Sequence, residues 1–106
     1  MDTSRTDPLG RAFIFHDRTW FAHILRGHPE MTDHRALVEA AITNPLQIRH
    51  SASGPDSRLY FGESSSLSHM ILVVADIALG LVKTAHIAKR FTGGDIEWLR
   101  STTSKA

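Results

Sequence analysis

HMILVVA, residues 69–75, is an uninterrupted apolar run opened by a histidine. A strand that is apolar at consecutive positions is covered on both faces, so this run predicts the middle strand of a sheet. Upstream, LQIRHSA (46–52) and SRLYFG (57–62) flank the turn cluster Ser53-Gly54-Pro55-Asp56 and predict a hairpin. Downstream, Asp76 to Gly80 turn the chain back, and LVKTAH (81–86) predicts a fourth strand. Before Asn44-Pro45 the apolar period is helical. Asp17 is placed to cap a helix running to about Gly27, with Trp20, Phe21, Ile24 and Leu25 on one stripe. Thr32 is placed to cap a second helix, MTDHRALVEAAITN, whose stripe is Leu37, Val38, Ala41 and Ile42. The expected fold class is α+β, with two N-terminal helices packed on a four-stranded, mostly antiparallel sheet.

The flanks are less regular. Residues 1–11 are expected as a flexible leader, residues 12–100 as a single domain and residues 101–106 as a polar tail. Ala12-Phe13-Ile14-Phe15 is short enough to be a minor strand or a packing arm, and residues 93–99 read as a short appended element containing Trp98. The 106 residues include 12 Lys plus Arg, 11 Asp plus Glu, seven His and no Cys. That length makes one domain with a core of its own. The absence of Cys removes disulfides, thiolate zinc sites and cysteine nucleophiles. No apolar stretch approaches the ~20 residues that a bilayer span needs, so no membrane partner is expected and the compartment expected is cytoplasmic.

Alternation assigns the strand faces. Leu59 and Phe61 are expected to face the helices, leaving Arg58 and Tyr60 on the open side. Leu46 and Ile48 are expected inward, with Gln47, Arg49 and Ser51 open. Leu81, Ala85 and Ile87 are expected inward, which places Thr84 and His86 beside Arg58, Tyr60 and Arg49. Lys83 falls on the wrong side unless a bulge re-aims it.

These residues carry a resemblance. Trp20-Phe21-Ala22-His23-Ile24-Leu25-Arg26-Gly27-His28-Pro29-Glu30 resembles the H-I-x-x-x-H-P-E opening of the phage-type barnase, EndoU, colicin and RelE-like nuclease families. The helix ending in Asn44-Pro45, the strand bearing Arg58-Leu59-Tyr60, the HMILVVA strand and the closing Lys83-Thr84-Ala85-His86 come in the same order. The resemblance covers about residues 17–90, and it departs from the strongly basic composition of RelE-type toxins in a formal charge of +1. It implies a metal-independent endoribonuclease, often a toxin, with RNA as partner and room for a protein inhibitor or antitoxin. The family's helix-borne histidine falls at His23 or His28, its sheet cation at Arg58 and its last-strand hydroxyl at Thr84.

Such chemistry suits those side chains. Cleaving RNA through its own 2′-hydroxyl needs a base, an acid for the leaving 5′-oxygen, and donors for the phosphate. Histidine as a class serves both proton transfers, so His23, His28 and His86 are the acid–base candidates. Arg58 and Thr84 are expected on the phosphate, and Tyr60, Arg49 and Lys83 on the substrate. No cofactor and no metal are expected. His23 and His28 lie five positions apart and point about 140° from each other on a helix, unlike the i, i+4 pair of a zinc-binding H-E-x-x-H.

Plainer roles compete with each of these. His28 falls on the apolar stripe, where a half-buried structural histidine near the helix C-terminus is favoured by the dipole. His23 lies off the stripe as a solvated residue, and Arg58 and Tyr60 would equally make an ordinary wet sheet face. A non-catalytic module that binds RNA or protein on the same fold is the competing function.

Overall fold

A computed structural model of the chain describes residues 2–66 and 68–101. Seven strands form one sheet: β1 (Thr3–Thr6), β2 (Ala12–Phe15), β3 (Gln47–His50), β4 (Ser57–Glu63), β5 (Met70–Asp76), β6 (Leu81–Ala88) and β7 (Ile96–Leu99). Their order across the sheet is β1-β2-β6-β5-β4-β3-β7. All neighbours are antiparallel except β2 and β6, which run parallel through a single register pair, Ile14 and Leu81. The expectation of two helices on a four-stranded sheet is therefore corrected to a curled, seven-stranded mixed sheet with two short helical segments. The HMILVVA strand is central, as its composition requires. Residues 3–6, inside the stretch expected as a leader, form a strand against β2, and residues 96–99 form the other edge. Of the polar tail, residues 102–106 lie outside the described residues.

The first helical segment runs over residues 17–27 and is irregular at its middle. Regular turns at Asp17–Thr19 and Leu25–Gly27 flank a π-turn at Trp20–Ile24. Asp17 is the first helical residue and His16 occupies the cap position, its side chain bonded to Asp2 rather than to the helix end. A π-turn holds one residue more than a regular turn, which rotates the residues after it about the helix axis. Trp20 and Ile24 are buried, whereas Phe21, expected on the same stripe, is 64% exposed. The second helix spans Arg35–Thr43, starting three residues after the expected Thr32 cap, because Pro29–Met31 form a separate 3-10 turn. Thr32 instead bonds back to the Pro29 carbonyl.

One core lies on the inner side of the curl. Val38, Ala41 and Ile42 of the second helix and Trp20 and Ile24 of the first pack there with Phe13, Phe15, Ile48, Tyr60, Ile71, Val73 and Ala85. Gly62 sets the depth of the second helix, since a Cβ at that position would sit 2.5 Å from Ala41 Cβ and 2.8 Å from its Cα. A smaller cluster of Leu59, Phe61 and Leu72 occupies the outer side. It is covered by the β6–β7 loop, where Phe91 meets Phe61 edge-on at 5.2 Å and Gly93, at φ +95°, presses against Leu59.

The faces of β4 are thus the reverse of those expected. Tyr60 is fully buried among the helices, Arg58 is nearly so, and Leu59 and Phe61 point outward. The cause is that both faces of β4 are covered, so alternation carries no information about which face meets the helices. Polar partners make the inward placement of Tyr60 and Arg58 possible. The Tyr60 hydroxyl donates to Asp7 Oδ2 at 2.5 Å, and Arg11 Nε donates to the same oxygen at 2.8 Å. Arg11 Nη2 donates to Glu97 Oε1 at 2.7 Å, and Arg58 Nε donates to Glu97 Oε2 at 3.1 Å. Asp7 and Arg11 belong to the β1–β2 hairpin and Glu97 to β7, so the contact joins the two ends of the sheet and draws it into a half-barrel. Burial and the neighbouring Asp7 push the Tyr60 phenol far above its usual range. Burial also pushes the Glu97 carboxyl upward, but the hydrogen bonds from Arg11 and Arg58 outweigh it, and the group titrates below its ordinary value of 4.5.

Two outcomes check this packing. Gly62→Ala should cost about 1–3 kcal/mol in denaturant unfolding, the range of an overpacked core, because the atom it meets is helix backbone as well as side chain. The Glu97 carboxyl is lowered on folding, so its contribution is complete above the ordinary glutamate value and is lost as pH falls through the lower folded value. Melting curves from pH 7 to pH 3 should fall more steeply for the wild type than for Glu97→Gln and converge at the acid end. Parallel curves would contradict the closure.

Candidate active site

His28 and His86 meet. Their ring centroids lie 5.1 Å apart with the planes tilted by 30°. His28 comes after Gly27 in a non-helical conformation (φ −138°, ψ 71°), its backbone N–H donating to the Ile24 carbonyl at 2.7 Å. Pro29 starts the 3-10 turn immediately after it, and Met31, fully buried, anchors that turn in the core. His28 is thus held between two buried anchors, Ile24 and Met31. The π-turn upstream supplies the rotation that takes its ring off the apolar stripe, leaving the side chain 38% exposed. His86 lies on β6 opposite Leu72, a residue of the outer cluster. The helical segment and the 3-10 turn run beside β6, which β2 leaves uncovered beyond its single register pair.

Each ring has an orienting partner. His86 Nδ1 lies 3.1 Å from the Ile87 carbonyl oxygen. A carbonyl only accepts, so Nδ1 carries a proton there and Nε2 holds the lone pair in the neutral ring. His28 Nδ1 is 3.5 Å from Glu30 Oε2. The two rings are thus each held by a polar partner through Nδ1. Glu30 stands in the H-P-E motif, and its place beside His28 results from the two-residue spacing across Pro29.

The remaining expected site residues divide between the two sides of the sheet. Thr84, opposite Val74, shares the outer side with His86. The register of β5 and β6 shifts between Val74 and Ala75, so Lys83 is an extra residue in β6, the bulge its placement required. Its Nζ donates to Ser57 Oγ at 2.7 Å. Arg49 is also outward, opposite Leu59, with its guanidinium carbon 5.6 Å from the Phe91 ring centroid and Nε donating to Gln47. Arg58 and Tyr60 are on the inner side within the charge network and are not brought to the histidine pair. His23 is exposed on the π-turn and lies outside the pair.

Asp7, Arg11 and Glu97 have no expected role from sequence. Asp7 and Arg11 fall in the stretch expected as a flexible leader, and nothing local ties them to residue 60 or 97. Among the described residues no three His, Asp or Glu side chains gather into a metal site, and no helix is long and apolar enough to cross a membrane. No protein-family model matches the sequence, and neither the curated proteins nor the solved structures contain a match to the chain.

Proposed function

We propose that the chain is a metal-independent endoribonuclease that works through His28 and His86. The contact between the two rings is the observation that carries this reading, since it joins the histidine of the H-P-E turn to that of the closing strand. His86 Nε2 takes the proton of the ribose 2′-hydroxyl. The 2′-oxygen attacks phosphorus, the bond to the 5′-oxygen breaks, and His28 gives its proton to that leaving oxygen. A 2′,3′-cyclic phosphate and a free 5′-hydroxyl result, and no atom or charge needs an outside reactant. Rings 5.1 Å apart leave no room for a phosphate between them, so the scissile group lies across their exposed edges. Thr84, two residues before His86 on the same side, is the hydroxyl donor for a phosphate oxygen, and Lys83 adds positive charge from the bulge. Arg58 contributes to the shape of the sheet instead. RNA is the proposed partner and the cytoplasm the proposed compartment. The toxin role and a protein inhibitor rest on the family resemblance alone.

Incubation with total RNA in excess EDTA, with identification of the new 3′ ends, tests this. The wild type should leave 2′,3′-cyclic phosphates. His28→Ala and His86→Ala should each slow cleavage by about 10²- to 10⁴-fold, and the double variant should be little worse than the poorer single one, because members of one catalytic unit fail together. Both single variants should melt close to the wild type, as half-exposed side chains contribute little to stability. Arg58→Ala should show the opposite pattern, with a lowered melting temperature because Glu97 loses one of its two guanidinium partners and a buried side chain is removed. Wild-type rates in both histidine variants, or activity that vanishes with EDTA and returns with a divalent ion, would overturn the mechanism. RNA bound but left intact would favour the non-catalytic module.

A further inference from the structure

Along the outer side of the sheet from His86 lies an open cavity of about 350 Å³. Phe91 of the β6–β7 loop, Met70 at the start of β5 and Leu46 before β3 supply its apolar wall, and Glu63, whose charge Arg100 meets at 3.5 Å, forms the polar rim with Ser64, Ser66 and His69 of the β4–β5 loop. The volume is at the lower end of small-molecule sites, suited to one flat heterocycle and its sugar. Phe91 is 38% exposed, edge-on against the fully buried Phe61 and with the Arg49 guanidinium carbon 5.6 Å from its ring centroid. An aromatic ring held that way by a buried neighbour is a stacking platform that loses little freedom on binding.

The rim is equally well set. Ser64 Oγ donates to the His69 carbonyl at 2.7 Å and accepts from Ser66 N–H at 3.1 Å. His69 Nδ1 lies 3.1 Å from Ser68 Oγ and 3.4 Å from Ser66 Oγ, which orients the ring and leaves Nε2 for another partner. Ser64, Ser66, Ser68 and His69 are thus joined to one another by hydrogen bonds beside the cavity. It combines a hydrophobic floor with hydrogen-bonding groups at its edge, the pairing that a nucleobase needs.

Its distance from the histidines fits as well. Phe61, Leu72 and His86 are register partners on three adjacent strands, so Phe61, with Phe91 against it, is two strand spacings from His86, roughly 10 Å. Lys89 and Arg90, both exposed, precede Phe91 and place positive charge beside the path between them. We propose that this cavity is a nucleobase-binding subsite that stacks one base of a single-stranded RNA on Phe91 and reads its edge with His69 and the serine rim. The proposal rests on the assignment of His28 and His86 as the cleaving pair, because the distance between the two is what gives the cavity its place on the substrate.

Amide chemical-shift titration of the full chain with each of the four nucleoside 3′-monophosphates, and with ribose 5-phosphate as the baseless control, tests it. At least one nucleotide should shift the amides of His69, Met70 and Phe91, and ribose 5-phosphate should not. Phe91→Leu, which keeps an apolar side chain on Phe61, and His69→Ala should each weaken that binding by about 5- to 100-fold while retaining the wild-type spectrum elsewhere. Equal shifts with ribose 5-phosphate, no shift at the cavity with any nucleotide, or wild-type affinity in both variants would overturn the subsite. Nucleotide shifts at the cavity in a protein that cuts no RNA would uphold the subsite and remove the catalytic reading. Cleavage that depends on His86 without any shift at the cavity would remove the subsite alone.

Discussion

The half-barrel depends on a buried carboxylate. Asp7 has no side-chain exposure, and its two oxygens accept from the Leu9 and Arg11 backbone N–H groups, from Arg11 Nε and from the Tyr60 hydroxyl. A carboxylate removed from water is tolerated only when its lone pairs are taken up in this way. Arg11, oriented by Asp7, reaches Glu97, and Glu97 in turn takes Arg58. Signs alternate along the series, so each charge has its complement within hydrogen-bond reach. The second helix packs beneath this closure, and with it the inner core between Phe13 and Tyr60, whose rings meet edge-on at 5.5 Å.

The legible part of the sequence is local. Strands β3 to β6 succeed one another through short turns, and each carries four or more residues of strand pattern between turn-forming clusters, so their existence and the central place of β5 can be read from composition. The segment ending at Gly27 is likewise marked by its stripe and by Gly27 and Pro29. TSRT, AFIF and IEWL are as short as β3 but lack the patterned hairpin partner that marks it. Their pairing depends on partners far along the chain, as between Ile14 and Leu81. The faces of β4 are hidden for a different reason: the cover on its outer side comes from the loop containing Gly93 and Phe91, which no pattern within β4 announces. Of the candidate site, the residue types and the motif positions of His28 and His86 can be read, but their meeting at the exposed edge of β6 cannot.

Small departures from regular geometry set several of these side chains. The π-turn turns the end of the first helical segment, and His28 leaves the apolar stripe on which a uniform 3.6-residue period would hold it. In β6 the extra residue is Lys83, which therefore reaches Ser57 on the outer side. In β7 the register shifts between its pairs with Ile48 and Arg49, and Glu97 falls at the shift. A lattice of regular strands and helices would bury Lys83 and turn Glu97 away from Arg11. Each irregularity costs local hydrogen bonding and is retained where it re-aims a charged or titratable group.

The ion pair between Arg11 and Glu97 spans 86 positions of sequence, and this has a bearing on how the chain is made. Neighbouring strands from β3 to β6 pair through short connections and are the contacts that form early in folding. A polypeptide emerging from the ribosome presents Asp7 and Arg11 ahead of those strands, and domains assemble as their segments become available. Glu97 arrives only with β7, after all six other strands of the sheet. Until then Arg11 and Arg58 have no shared counter-charge and the curl has no latch. The curl can close only once β7 is present, so the last strand of the sheet to be made is also the one that completes its charge network.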